Sequence, residues 1–185
     1  MGKDIRKWRI EDHGKWLIYT YHGIDPKGLS AVLNHLRPYR KELESRATRQ
    51  EWYELQQPQA LYAAAFGKPK IVFPDIAKEP RFALDKWGAY VGNTAYAIPV
   101  NDFYLLGVLN SKAVEEFYLE LSAQVRGGYL RFIFQYVTKI PIPDPTPHEK
   151  SAISDLVQKC LDAKGVGCER WEKEINERVG ALYGL

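Results

Sequence analysis

The chain has 185 residues, 45% apolar and 26% charged, the size and make-up of one ordinary folded domain with a short appendage. Its 26 basic and 23 acidic side chains leave a net charge of +3, too mild an excess to announce a nucleic-acid partner by itself. No apolar run reaches the roughly 20 residues of a membrane helix, and the charged start MGKDIRKWRI lacks the apolar stretch of a secretory signal.

Taken in chain order, WLIYTY (Trp16 to Tyr21) is the first short apolar and aromatic run bounded by turn residues, and it predicts a strand. Residues 29–46 predict helix, broken or restarted near Pro38, with Leu29, Val32, Leu33 and Leu36 in one stripe and Tyr39 and Leu43 in the next. KIVF (Lys70 to Phe73), YAIPV (Tyr96 to Val100) and FYLLGVL (Phe103 to Leu109) repeat the strand signal. Asn110-Ser111 then caps a helix carrying Val114, Phe117, Tyr118 and Leu121. Strands and helices do not alternate regularly, so the expected class is α+β: a mixed, twisted sheet with flanking helices and a C-terminal helical tail.

The tail begins at the proline cluster Pro141, Pro143, Pro145 and Pro147, which can continue neither helix nor central strand. Residues 1–146 hold 20 basic and 16 acidic side chains, whereas residues 147–185 hold 6 and 7, so the expected division is a body at 1–146 and a tail at 147–185. Ile153, Leu156, Val157, Cys160 and Leu161 form one helical stripe. After Gly165 and Gly167, Trp171, Ile175, Val179 and Leu182 form a second. Such stripes must be covered by the body, by each other or by a partner protein. Cys160 and Cys168 make neither a disulfide framework nor a four-ligand zinc site and read as reduced thiols in a cytoplasmic protein.

Phosphate and dinucleotide cradles are absent, as are an H-E-x-x-H pair and a Gly-x-Ser-x-Gly elbow; no metal site and no catalytic residues are expected. The one enzymatic alternative is a metal-dependent nuclease using Asp144, Asp162 and Lys164. A proline linker and an amphipathic helix are poor places for carboxylates that must meet at one ion.

Three polar segments stand out. Between Leu121 and Pro143, Arg126, Arg131 and Lys139 occur with no acidic residue. Read as one strand, RGGYLRFIFQY places Tyr129, Arg131, Ile133 and Gln135 on one face, away from Leu130, Phe132, Phe134 and Tyr136. Arginine can hold guanine and glutamine adenine through two hydrogen bonds each, so such a face suits a DNA groove. The second segment, DIAKEPR, offers Lys78, Glu79 and Arg81 on a loop, and the third is the turn Gly92-Asn93-Thr94. Arg126, Tyr129, Arg131, Gln135, Lys78, Glu79, Arg81, Asn93 and Thr94 are the candidate base contacts. Lys3, Arg6, Lys7 and Arg9 are the candidate phosphate contacts.

GKDIRKWRI, WLIYT, HLRPYRKELESR, WYELQ, KPKIVFPDI, RFALD, YLLGVLNS, GGYLRFIFQYV and KIPIP, in this order, resemble the TaqI-like C-terminal specificity domain. That domain is the target-recognition part of adenine-specific DNA methyltransferases and fused type IIG restriction–modification enzymes. EINERVGALYGL is similar to the helix that ends many such polypeptides, and type I specificity subunits have a related Ile-Pro-x-Pro turn into a long helix. The resemblance implies a partner of double-stranded DNA and a methyltransferase module in the same or a neighbouring polypeptide. The Asn/Asp-Pro-Pro-Tyr/Phe motif and the S-adenosylmethionine loop of such enzymes do not occur here. The expectation is therefore a recognition domain separated from its catalytic parts, with no cofactor of its own, S-adenosylmethionine and Mg²⁺ belonging to those parts. A second alternative is an adaptor whose tail stripes bind a methyltransferase subunit.

Overall fold

The computed structural model describes residues 1–185 except Ala123 and Arg126, and only the backbone of Gln124. Contacts divide the chain into two compact units, one formed by Met1–His13 with Ala65–Leu185 and the other by Gly14–Ala64. The chain thus divides around residues 14 and 64, and the helices after Pro147 lie inside the first unit.

In the first unit, strands β1 (Ile5–Arg6) and β2 (Arg9–Ile10) form a hairpin turned at Lys7-Trp8. Trp8 has φ +70° there and is buried. Strand β3 (Lys70–Pro74) lies between β5 (Ala83–Asp85) and β6 (Ala95–Ile98), paired Ile71 with Leu84 and Phe73 with Tyr96. A third sheet joins β4 (Ile76–Ala77), β8 (Tyr129–Arg131) and β7 (Gln124–Val125), in that order. Every pairing among the described residues is antiparallel, so the α+β class stands but the sheet is not mixed. Parallel pairing needs a long crossover, whereas here loops turn strands such as β7 and β8 straight back.

KIVF and the first part of YAIPV are strands as expected, but FYLLGVL is helix α4 (Phe103–Leu109). The Asp102 carboxylate accepts from Leu105 N–H at 3.0 Å and starts that helix. A short continuous apolar run does not separate a buried helix from a buried strand. Helix α5 (Lys112–Leu121) is capped by Ser111, while the Asn110 side chain forms two hydrogen bonds, 3.0 and 2.9 Å, with the backbone of Phe82. Beyond α6 (Phe134–Val137), Thr146 and Glu149 close a reciprocal cap on α7 (Pro147–Asp162), with Pro147 in its first turn. Helix α8 (Glu169–Tyr183) follows the glycine turn.

The tail stripes are covered inside the unit. Ile153, Leu156, Val157, Cys160, Ile175 and Val179 are all buried in the main core with Leu106 and Val108 of α4. The turn between α7 and α8 lies on the β1–β2 hairpin: a Cβ at Gly165 would sit 2.9 Å from the Lys7 carbonyl oxygen. Between the sheets, the rings of Phe73, Phe82, Phe132 and Tyr118 touch in sequence, at centroid separations of 5.0, 6.1 and 4.5 Å. Lys70 and Asp85 form a fully buried ion pair at the far end of β3. Asp85 also accepts from the N–H groups of Trp87 and Ala89.

The second unit contains helices α1 (Ser30–Leu36) and α2 (Arg40–Glu44), linked by a 3₁₀ turn at Arg37–Tyr39, as residues 29–46 predict. WLIYTY is not a strand. Its residues bond to a loop instead of a ladder: Thr20 Oγ1 donates to Tyr53 O at 2.6 Å and Tyr19 Oη to Pro58 O at 2.9 Å. The Arg46 guanidinium donates to the carbonyls of Leu43, Trp52 and Glu54 and organises that loop. Helix α3 (Ala63–Phe66) leads back into the first unit.

Candidate nucleic-acid interface

The candidate site is built where β3 leaves one sheet and continues into another. Asp75 sits between β3 and β4, and its backbone is fixed on both sides. Its N–H donates to Thr94 O at 2.9 Å, and its carbonyl accepts from Phe132 N–H at 2.7 Å. The turn before β6 and the end of β8 are thereby brought to one place.

In the β4–β8 pairing, Ile76 faces Arg131 and Ala77 faces Leu130. Ala77 and Leu130 are buried, whereas Ile76, Lys78 and Tyr129 are exposed and Arg131 is half-buried. Period-two alternation therefore holds from Tyr129 to Phe132 and gives the sheet an outer face of Ile76, Lys78, Tyr129 and Arg131. The Lys78 ammonium lies 5.3 Å from the centre of the Tyr129 ring. Gly127 and Gly128 take φ of +88° and +74° in the hairpin, a turn conformation that a side chain would strain.

Arg131 is anchored at both its backbone and its side chain. The Ser122 hydroxyl accepts from Arg131 N–H at 3.1 Å and donates to its carbonyl at 3.2 Å, and Tyr118 Oη donates to the same carbonyl at 2.7 Å. Burial pushes the Tyr118 hydroxyl well above its ordinary value, so it stays a donor. Arg131 Nε donates to Asp75 Oδ1 at 3.1 Å.

Other predicted residues fall elsewhere. Gln135 is not on this face: the strand ends at Arg131, and Gln135 is exposed on the single turn of α6. The bond from Phe132 N–H to Asp75 O is the last in that register, and from Ile133 the chain turns into α6, whose Tyr136 and Val137 N–H groups bond to the Ile133 carbonyl. Arg126 lies outside the described residues. Glu79 and Arg81 pair with each other at 3.1 Å on the loop after β4. Asn93 is exposed, and Thr94 Oγ1 accepts from Gly2 N–H at 2.9 Å. That bond sets the N-terminal turn beside the same junction, with Lys3 exposed on it. Arg6 and Arg9 instead pair with Glu11, and Lys7 pairs with Glu172 of α8 at 3.4 Å. Asp75, Tyr118 and Ser122 were not apparent as site residues in the sequence, because each acts through a partner remote in the chain or through its backbone.

Asp144 is exposed in the proline run, Asp162 accepts from Gln158 within α7, and Lys164 lies in the turn that ends α7. Among the described residues, no group of three or more His, Cys, Asp or Glu is arranged to hold a metal ion. No helix among them is long and apolar enough to cross a membrane.

The sequence profile of the TaqI-like C-terminal specificity domain matches residues 1–142. The chain belongs to that family. The matched part of this specificity domain contains the second unit, all three sheets and the junction at Asp75, and it stops before α7. The domain is similar to the type II methyltransferase M.BanIII of Aneurinibacillus aneurinilyticus, with 28% identity over 84% of this chain and 30% of the relative. It is also similar to M.XhoI of Xanthomonas vasicola, with 27% identity over 99% of this chain and 34% of the relative. A third relative, M.PaeR7I of Pseudomonas aeruginosa, is 32% identical over 66% of this chain and 21% of its own length. The specificity domain thus corresponds to one part of longer methyltransferases.

Proposed function

We propose that this specificity domain binds double-stranded DNA and selects the target of an adenine-specific methyltransferase in a cytoplasmic restriction–modification system. The catalytic module, in the same or a neighbouring polypeptide, binds S-adenosylmethionine and transfers the methyl group; the residues of this chain contribute recognition and no chemistry. The outer face of the β4–β8–β7 sheet carries the reading. It sets the exposed Lys78 and Tyr129 and the half-buried Arg131 over a buried aromatic core. A β-ribbon of this kind fits the major groove, where an arginine distinguishes guanine by two hydrogen bonds. The exposed Lys3, and Asn93 and Thr94 at the same junction, extend the surface toward the backbone and neighbouring bases. The modest net charge of +3 fits a module that supplies discrimination while the catalytic module supplies much of the phosphate attraction.

Selection from random duplex DNA tests this function. The chain should enrich one sequence, and Arg131→Ala should relax the choice at one position. Calorimetry should show no S-adenosylmethionine binding to this chain. Failure to enrich any sequence overturns the recognition role, and stoichiometric cofactor binding overturns the division of labour.

A further inference from the structure

We infer that Asp75 is a positioning residue that presents Arg131 to a guanine in the target. The inference rests on the proposed recognition of DNA and names a device within that same surface. The Asp75 carboxylate holds Arg131 through Nε, at 3.1 Å. A guanidinium held at Nε directs its opposite end, Nη1 and Nη2, away from the carboxylate. That end has the spacing of guanine O6 and N7.

Both partners are held by more than each other. Asp75 is tied through its backbone to the turn at Thr94 and to Phe132, and its side chain is only 19% exposed. Arg131 is tied through its backbone to Ser122 and Tyr118, and its side chain is 38% exposed. The carboxylate is thus on the sheltered side of the pair and the guanidinium on the open side. A long arginine side chain loses much rotamer freedom when it docks on a base, and a fixed carboxylate removes part of that loss beforehand.

Charge separates this role from phosphate binding. A carboxylate beside an arginine weakens its attraction for any phosphate, so Asp75 works against affinity that is blind to sequence. It is useful only where direction matters more than charge. Arg6 and Arg9 differ: both Nη atoms of each are engaged, with Glu11 and with the carbonyls of Lys3 and Ile5 for Arg6 and of Lys164 for Arg9, so neither presents a free end.

The test is selection from random duplex DNA with the 185-residue chain, its Asp75→Ala and Arg131→Ala variants and the double variant. Asp75→Ala should lower the preference for guanine on the order of tenfold at one position, the same position that Arg131→Ala affects. The double variant should lose no more than Arg131→Ala alone, because Asp75 acts through Arg131. Asp75→Asn, which keeps the shape and an acceptor oxygen, should retain part of the preference and serves where the alanine variant melts early. Three results overturn the inference: an unchanged base profile in Asp75→Ala, additive losses in the double variant, or tighter binding of Asp75→Ala to all sequences alike. The last would make Arg131 a phosphate contact. A wild-type chain that enriches no sequence instead overturns the recognition function itself.

Discussion

Gly107→Ala should destabilise the domain, although alanine is the better helix former. Gly107 lies in α4 with its face against α7, and an added Cβ would sit 2.9 Å from Ile153 Cγ2 and 2.9 Å from Val157 Cγ2. Carbon atoms in contact prefer about 3.5–4.0 Å, so each approach is too close by at least about 0.6 Å. Both neighbours are branch methyls fixed at χ1 and cannot swing aside as the end of a long side chain would. Overpacking at two rigid points belongs near the upper part of the usual range, about 3 kcal/mol. Helix propensity returns about 1 kcal/mol, leaving a net loss of about 2 kcal/mol. With a urea slope of about 2 kcal/mol per M, the midpoint followed by tryptophan fluorescence should fall by about 1 M. The same substitution placed in a Val157→Ala background should cost less, because one of the two collisions is gone. A Gly107→Ala variant more stable than the parent, or an equal cost in both backgrounds, would refute the close packing of α4 on α7.

Three further outcomes follow from buried and capped groups. Lys70→Met should cost about 3–5 kcal/mol in urea unfolding, because it leaves the Asp85 carboxylate buried without its cation; a cost below about 1 kcal/mol would contradict the buried pair. Burial pushes the Asp102 carboxyl up, but the Leu105 N–H and the Lys150 ammonium outweigh it, so the group is held below its ordinary value. Its share of stability is therefore present above about pH 4 and lost as pH falls through the lowered value. Asp102→Asn keeps the cap without the charge, and its stability gap from the parent should narrow as pH falls below about 4 and through the lowered value; a gap independent of pH would refute the assignment. Burial pushes the Cys160 thiol up to about 12 and raises Cys168 as well, so neither should react with an aromatic disulfide reagent at pH 8 until denaturant is added. Reaction of either within seconds in the native protein would be the contrary result.

The elements legible in the sequence are those whose signals are local. The stripes of α7 and α8, the Ser111 cap and the strand at KIVF all depend on residues within one or two turns of each other. The charge step at Pro147 was legible too, yet charge reports the wet side of a segment and not what its apolar side touches. The tail stripes are covered by α4 in the first unit. WLIYTY has strand composition and no strand partner, and composition cannot supply one. In RGGYLRFIFQY the alternation was right as far as Phe132, which is why Tyr129 and Arg131 share a face. Beyond it, Ile133 caps α6, and Gln135 turns away on that helix.

The candidate site shows the same division more sharply. Arginine and aromatic residues near a Gly-Gly turn mark a face, and in the structure Tyr129 and Arg131 share that face with Lys78 of the DIAKEPR loop. Arg131 on that face is met by a carboxylate 56 residues away in the chain, where β3 gives way to β4 in another sheet. Residues on the outer face of β8 can change without altering the inner Leu130 and Phe132, which hold the core. The backbone bonds of Asp75 to Thr94 and Phe132 do not depend on its side chain. A substitution at Asp75 therefore removes the bond to Arg131 Nε and leaves the strand junction its backbone bonds.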